Sequence, residues 1–190
     1  MKIGILAIQG SIQDHKKVLD KLNIETVEVR LPADLIDING LIIPGGESTT
    51  IGKLLKSTKL DQEIKRLYEK GLPIYGTCAG AIILAKEILG SQQPKLSILD
   101  ISIGRNSYGR QIDSFETDLD IKEFEQPFHG IFIRAPVISK VHNGAKILAE
   151  YKDKPVLVRQ KNILASTFHP ELTNDTRINE YFINMIKSCS

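Results

Sequence analysis

Two short segments hold the residue types best suited to covalent chemistry: a cysteine among small neighbours, Gly76-Thr77-Cys78-Ala79-Gly80, and a histidine two positions before a glutamate, His169-Pro170-Glu171. The apolar run Leu72 to Tyr75 leads into Cys78, and a helix-length stretch follows it to Gly90, a natural helix stop. The order is strand, sharp turn, helix, the pattern of a nucleophile elbow with Cys in place of Ser. At such a corner the helix N-terminus favours thiolate over thiol, and the Ala79 amide can face a developing oxyanion. Taken alone, the same segment also suits a buried, inert cysteine.

A cysteine nucleophile needs a base, and the chain has four histidines. His15 stands among Asp14, Lys16 and Lys17 and reads as part of a solvated helix face. His142 sits in the turn-like Val-His-Asn-Gly, and His129 precedes a strand with no polar partner close in sequence. His169 ends the strand-like run Ile163 to Phe168, and extended chain turns residues 169 and 171 the same way. Glu171 can then hold the far imidazole nitrogen, fix the tautomer and stabilise the imidazolium. Alone, His-x-Glu is also an ordinary loop pair. Together with Cys78 it supplies nucleophile, base and acid in one chain order.

A third pointed segment, Gly45-Gly46-Glu47-Ser48-Thr49-Thr50, follows the continuous apolar run Gly40 to Pro44. A phosphate loop would need glycine where Glu47 stands and Ser or Thr where Leu54 stands, so nucleotide binding is rejected. A Gly-Gly turn can instead bring bare backbone against a substrate and supply a second oxyanion donor, here at Gly46, or it can be a plain strand-to-helix turn. No metal-ligand spacing such as His-Glu-x-x-His or Cys-x-x-Cys occurs, so neither a metal nor a cofactor is expected.

Strands and helices alternate through the first ninety residues and must bring these segments together. Strands are expected at Lys2 to Ile8, Ile24 to Arg30 and Gly40 to Pro44, and helices over Ser11 to Leu22, Ile51 to Leu55 (capped by Ser48 or Thr50) and Leu60 to Lys70. That alternation predicts an α/β fold: three layers, a mostly parallel central sheet with helices on both faces. Ligands of such sheets bind at the carboxyl ends of the strands, where both pointed turns fall. From Lys95 onward strand-like runs follow one another, at 97–103, 114–121, 130–133, 145–151, 155–160 and 163–168, and predict a mixed or antiparallel extension of the sheet. Thr173 is the expected N-cap of a last helix carrying Ile178, Phe182 and Met185.

Composition narrows the function classes. A chain of 190 residues with 42% hydrophobic content suits one domain, 1–190. With 25 basic against 23 acidic residues and no basic run, nucleic acid is not an expected partner. No segment reads as a cleavable leader or a membrane span, which predicts a cytoplasmic protein without membrane association. Two cysteines, one in a turn and one at Cys189 in the tail, do not make a disulfide framework.

Taken together, the segments Leu-Ile-Ile-Pro-Gly-Gly-Glu-Ser-Thr-Thr (41–50), Gly-Thr-Cys-Ala-Gly (76–80), Arg-Asn-Ser-Tyr-Gly-Arg-Gln-Ile-Asp-Ser-Phe-Glu (105–116), Phe-Ile-Arg-Ala-Pro (132–136) and Phe-His-Pro-Glu-Leu (168–172) make the chain resemble the triad class I glutamine amidotransferases. More narrowly it resembles the glutaminase subunits of pyridoxal 5'-phosphate synthase. The resemblance covers nearly the whole chain and implies the flavodoxin-like fold of that class. It implies Cys78 as nucleophile, His169 as general base and acid, Glu171 as its orienter, and L-glutamine contacts from Gly46, Glu47, Ser48, Arg105, Ile133 and Arg134. Arg105 or Arg134 is the candidate partner of the substrate carboxylate. Ser107 and Tyr108, where family members often have Ala and Phe, are conservative departures. A separate synthase subunit is implied as the ammonia acceptor, with low glutaminase activity until the two meet. A glutaminase of another pathway, or a cysteine hydrolase on the same fold, is the alternative.

Overall fold

The structure, a computed structural model, describes residues 1–105, 114–142 and 144–189. Within the Arg-Asn-Ser-Tyr-Gly-Arg segment, residues 106–113, and with them Ser107 and Tyr108, lie outside the described residues.

Four apolar strands form the middle of a parallel sheet: β1 (Lys2–Leu6), β3 (Gly40–Ile43), β4 (Ile74–Thr77) and β12 (Ile163–Ser166). With β2 (Glu25–Val29), β10 (Lys146–Tyr151) and β11 (Lys154–Gln160) they make a seven-stranded sheet of order β10-β11-β12-β4-β3-β1-β2. The pairs from β12 to β2 are parallel, whereas β10, β11 and β12 pair antiparallel; of the runs expected to extend the sheet, those at 97–103, 114–121 and 130–133 form two smaller sheets instead. The central strands bury both faces, and alternation splits their side chains between two cores. Leu41, Ile43 and Ile74 face one core with helices α2 (Ser48–Ser57), α3 (Leu60–Glu69) and α4 (Ala79–Leu84). Ile42, Tyr75 and Leu164 face the other with α1 (Ile12–Lys21) and α5 (Arg177–Cys189). The three layers follow from that alternation.

Three expectations fail locally. The helix after Cys78 stops at Leu84, and the chain continues as strand β5 (Ala85–Leu89) beside β6 (Leu99–Gly104), which pairs in turn with β9 (Val137–Val141). Tertiary partners outbid helix propensity here. The last carbonyls of α4 accept the Leu96 and Ile98 amides, Lys86 pairs with Asp100, and the Ser102 hydroxyl donates to Glu87. The cap of α2 is Glu47, not Ser48 or Thr50: its carboxylate accepts the Thr49 and Thr50 amides at 3.2 and 2.6 Å. The last helix begins at Arg177, and Asp175 rather than Thr173 accepts its first amide; Thr173 closes the turn after His169 by donating to the Pro170 carbonyl.

A two-stranded hairpin, β7 (Ser114–Leu119) and β8 (Phe128–Ile133), packs beside the second core. Phe132 and Phe128 lie 5.4 and 5.9 Å, ring to ring, from Phe168, fixing the residue that precedes His169. Among the described residues, no helix is long and apolar enough to cross a membrane.

Candidate active site

β12, β4, β3 and β1 are consecutive neighbours running the same way, so their carboxyl ends share one rim. His169 follows β12, Cys78 follows β4, Gly45 and Gly46 follow β3, and Gln9 follows β1. Parallel topology thus collects residues far apart in sequence.

Cys78 occupies a conformation that L-residues rarely adopt, φ 50° and ψ −106°. Such strain persists only where the surroundings over-determine it. They do so here through close backbone packing. A Cβ on Gly76 would lie 2.7 Å from the Gly80 carbonyl carbon, and one on Gly80 would collide with the Ile43 carbonyl. The small flanking residues are therefore required by helix α4 lying against β3 and β4. Ala79 is the first helical residue, so its N–H has no intrahelical acceptor. With only six residues, α4 carries less of a dipole than the longer helix expected from the sequence.

His169 Nδ1 lies 2.7 Å from Glu171 Oε1, and Cys78 is close enough to the ring to act on its charge. A Cβ on Gly45 would approach His169 Cε1 to 2.5 Å and the Cys78 Cβ to 3.3 Å, so Gly45 walls their meeting point. The three residues are 8%, 7% and 4% exposed for Cys78, His169 and Glu171. The hairpin braces the site as well: the Ile131 carbonyl accepts the His169 amide at 2.8 Å, and the Ile133 carbonyl lies 3.9 Å from the Cys78 sulfur. Burial alone would lower the His169 pKa, but the Cys78 sulfur and the Glu171 carboxylate hold it up at about 10. Burial alone would raise Glu171, yet His15 and then His169 keep it below the usual carboxylate range. The imidazole is therefore held in its charged form beside sulfur, and Glu171 remains ionised behind it.

A cavity of about 440 Å³ opens over Cys78. Its lining includes Ala79, His169 and all six residues expected to meet substrate: Gly46, Glu47, Ser48, Arg105, Ile133 and Arg134. Ile82 and Pro136 also line it, without a distinguishing mark in the sequence. In the Gly-Gly turn the Gly45 amide donates to Thr77 Oγ1 (3.1 Å) and the Glu47 amide to Gln9 Oε1 (2.8 Å). Gly46 is left as the turn residue whose N–H can serve a ligand. The Arg105 guanidinium donates to Glu47, Thr49 and Gln93. Burial alone would raise Glu47, but the Thr50 and Thr49 amides hold its carboxyl below the usual range, so it faces the cavity charged. Among the described residues, no group of three or more His, Cys, Asp or Glu side chains could hold a metal ion.

Two histidine expectations are overturned. His15 is fully buried rather than solvated, with Nε2 3.5 Å from Glu171 Oε1 and 3.2 Å from Thr77 Oγ1. It shares the helical face of Val18 and Leu19, and that spacing was the available signal. His129 stands within a strand rather than before one, and its polar partners are distant in sequence, as its neighbours implied. It lies in β8 opposite Asp118, with Nδ1 3.0 Å from Asp118 and Nε2 2.8 Å from Glu116. Gln9 and Gln93 were also missed, because lone glutamines in loops carry no pattern.

A cysteine on a strained strand-to-helix corner, a histidine and glutamate at the end of the neighbouring strand, and a Gly-Gly turn beside them have the arrangement that the resemblance to class I glutamine amidotransferases implies. A family model described as the SNO glutamine amidotransferase family matches residues 5–188, and the chain belongs to that family. It is 49% identical over 187 residues to a protein of Thermosipho africanus named pyridoxal 5'-phosphate synthase subunit PdxT, covering 98% of this chain and 100% of that one. The protein of the same name from Pelotomaculum thermopropionicum is 53% identical, covering 96% of this chain and 94% of its own length. A crystal structure of a glutamine amidotransferase superposes with a TM-score of 0.94 at 49% identity, covering 97% of this chain and 98% of that one. A putative GMP synthase subunit from Thermoplasma acidophilum, 18% identical with a TM-score of 0.71, covering 100% of this chain and 94% of that one, shares the fold.

Proposed function

We propose that this chain, acting as one domain, hydrolyses L-glutamine to L-glutamate and ammonia and hands the ammonia to a separate synthase subunit that makes pyridoxal 5'-phosphate. The observation that carries this reading is the meeting of Cys78 and His169, with Glu171 behind the imidazole, at a cavity lined by charged groups that suit an amino acid.

The Cys78 sulfur, its proton held by His169, attacks the side-chain amide carbon of glutamine. The oxyanion rests on the Ala79 and Gly46 amides. His169 then passes its proton to the leaving nitrogen, the C–N bond breaks, and ammonia departs from a thioester on Cys78. Water, deprotonated by His169, attacks the thioester carbon; the C–S bond breaks and glutamate leaves with the enzyme restored. Glu171 keeps the ring oriented and its charge compensated throughout. Glu47 suits the substrate ammonium. Arg105 is already committed to Glu47, Thr49 and Gln93, so Arg134 takes the substrate carboxylate. Ser48 and Ile133 complete the walls.

The relatives at about half identity carry the name of a pyridoxal 5'-phosphate synthase subunit, which supports that acceptor. A reducing cytoplasm suits the free Cys78 thiol. The test is glutamate release by the purified chain alone, with a pyridoxal 5'-phosphate synthase subunit, and with the synthase partner of another glutamine-dependent pathway. The first synthase alone should stimulate it. Stimulation only by a different synthase overturns the acceptor, and full activity in Cys78→Ala overturns the nucleophile.

A further inference from the structure

His15 is a buried titratable group that the hydrolytic steps above do not use. Its exposure is zero, and α1 places it behind the site rather than in the cavity. Two oxygens face its Nε2: Thr77 Oγ1 at 3.2 Å and Glu171 Oε1 at 3.5 Å. Among the described residues, its Nδ1 has no hydrogen-bond partner, and neither has Glu171 Oε2. Both neighbours of Nε2 have further commitments. Glu171 Oε1 also accepts from His169 Nδ1 at 2.7 Å, and Thr77 Oγ1 also accepts the Gly45 amide at 3.1 Å.

The tautomer follows from these contacts. A neutral imidazole has one N–H to give. On Nδ1 it would be a buried donor with no acceptor, which costs more than an unused lone pair. On Nε2 it lies between two oxygens, one of them ionised. Burial lowers the His15 pKa; Glu171 opposes that, His169 adds to it and Asp14 opposes it, leaving it below the ordinary value and the ring neutral.

We infer that His15 is a positioning residue for the reaction, its Nε2–H tying the carboxylate that orients His169 to the threonine that anchors the Gly45 turn. The inference rests on the glutamine-hydrolysing reading. Glu171 Oε1 has the His169 Nδ1 at hydrogen-bond distance on one side and the His15 Nε2 at 3.5 Å on the other, so a carboxylate that swings away from His169 gives up both contacts. Through Thr77 the same imidazole fixes Gly45, which walls the contact between His169 and Cys78. A leucine could fill this space without the cost of burying a polar ring, so packing alone does not account for a histidine here.

The test compares His15→Leu, His15→Gln and Thr77→Val with the unaltered chain, each assembled with the synthase subunit, by steady-state glutamate release. His15→Leu should lower kcat by about 10- to 100-fold, the range seen when an orienting partner is removed. Its KM for glutamine should stay within about twofold, because His15 does not line the cavity. His15→Gln keeps an N–H donor near the Nε2 position and should recover most of the loss. Thr77→Val breaks the tie at its other end and should also lower kcat at unchanged KM, which decides the matter if His15→Leu does not fold. Nitrogen-15 spectra at pH 7 should show His15 as the neutral Nε2–H tautomer. The inference is overturned by a kcat within twofold of the unaltered chain in His15→Leu or Thr77→Val, by a loss that His15→Gln does not relieve, or by an Nδ1–H or charged His15. If the unaltered complex releases no glutamate, the functional reading fails first, and the tautomer spectrum still judges the contact.

Discussion

Two of the histidines hydrogen-bonded to carboxylates, His129 and His169, sit in opposite surroundings. His129, on the β7–β8 hairpin, bonds Glu116 and Asp118, and His169 bonds Glu171 at a nearly equal distance. The first cluster is open to water, with side-chain exposures of 49%, 61% and 72% for His129, Glu116 and Asp118, while Glu171 has none. Both imidazoles have raised pKa values, His129 through its hydrogen bonds to Glu116 and Asp118. Water can replace any partner of His129, and salt screens what is left. At His169 no such substitute exists, so the charge is tied to one sulfur and one carboxylate. Contact distance does not separate a surface ion pair from a reactive one; desolvation and a third, nucleophilic neighbour do.

The contrast can be attacked at several points. Cys78→Ala removes the neighbour that only the buried cluster has, and glutamate release in the complex should fall by at least about 10⁴-fold. Glu171→Gln should cost about 10²- to 10⁴-fold in kcat, and the alkaline limb of the pH–rate profile should move down from near 10, since the carboxylate helps hold that proton. Stability should follow the same charge. Because the folded-state pKa of His169 is raised from 6.5 to about 10, its contribution is complete below the lower value and is lost as pH rises through the upper one. Urea midpoints of the parent chain should therefore converge on those of His169→Asn across that window. The smallest effect belongs to the exposed cluster. In Glu116→Gln with Asp118→Asn, proton NMR titration should find the His129 pKa lowered toward its ordinary value, with glutamate release within twofold of the parent.

The sequence exposes the parallel half of the molecule far better than the later half. Buried strands such as Gly40–Ile43 and Ile74–Thr77 are short apolar runs ending in Gly-rich turns, so composition alone marks where the rim must be. His169 and Glu171 were legible because two residues of spacing is a local signal. What decides residues 85–89 is not local, since Asp100 and Ser102 draw Lys86 and Glu87 into a strand that propensity reads as helix. The partners of His129 were hidden for the same reason: strand register brings residue 118 opposite 129, with no trace in either segment alone. His15 misled for a different reason. Three charged neighbours outweighed its place on the face of Val18 and Leu19, although the helical period carried the correct answer.

The packing of α5 has a practical bearing. Cys189 sits beside Asn39, Gly71 and Pro73, where β3 and β4 begin, and Asn39 in turn accepts the Lys2 amide at the start of β1. The second thiol therefore lies across the full length of the strands from Cys78, exposed where Cys78 is nearly enclosed. A maleimide dye should mark the outer sulfur while a glutamine-shaped electrophile marks the inner one, giving two distinguishable handles on a single wild-type chain.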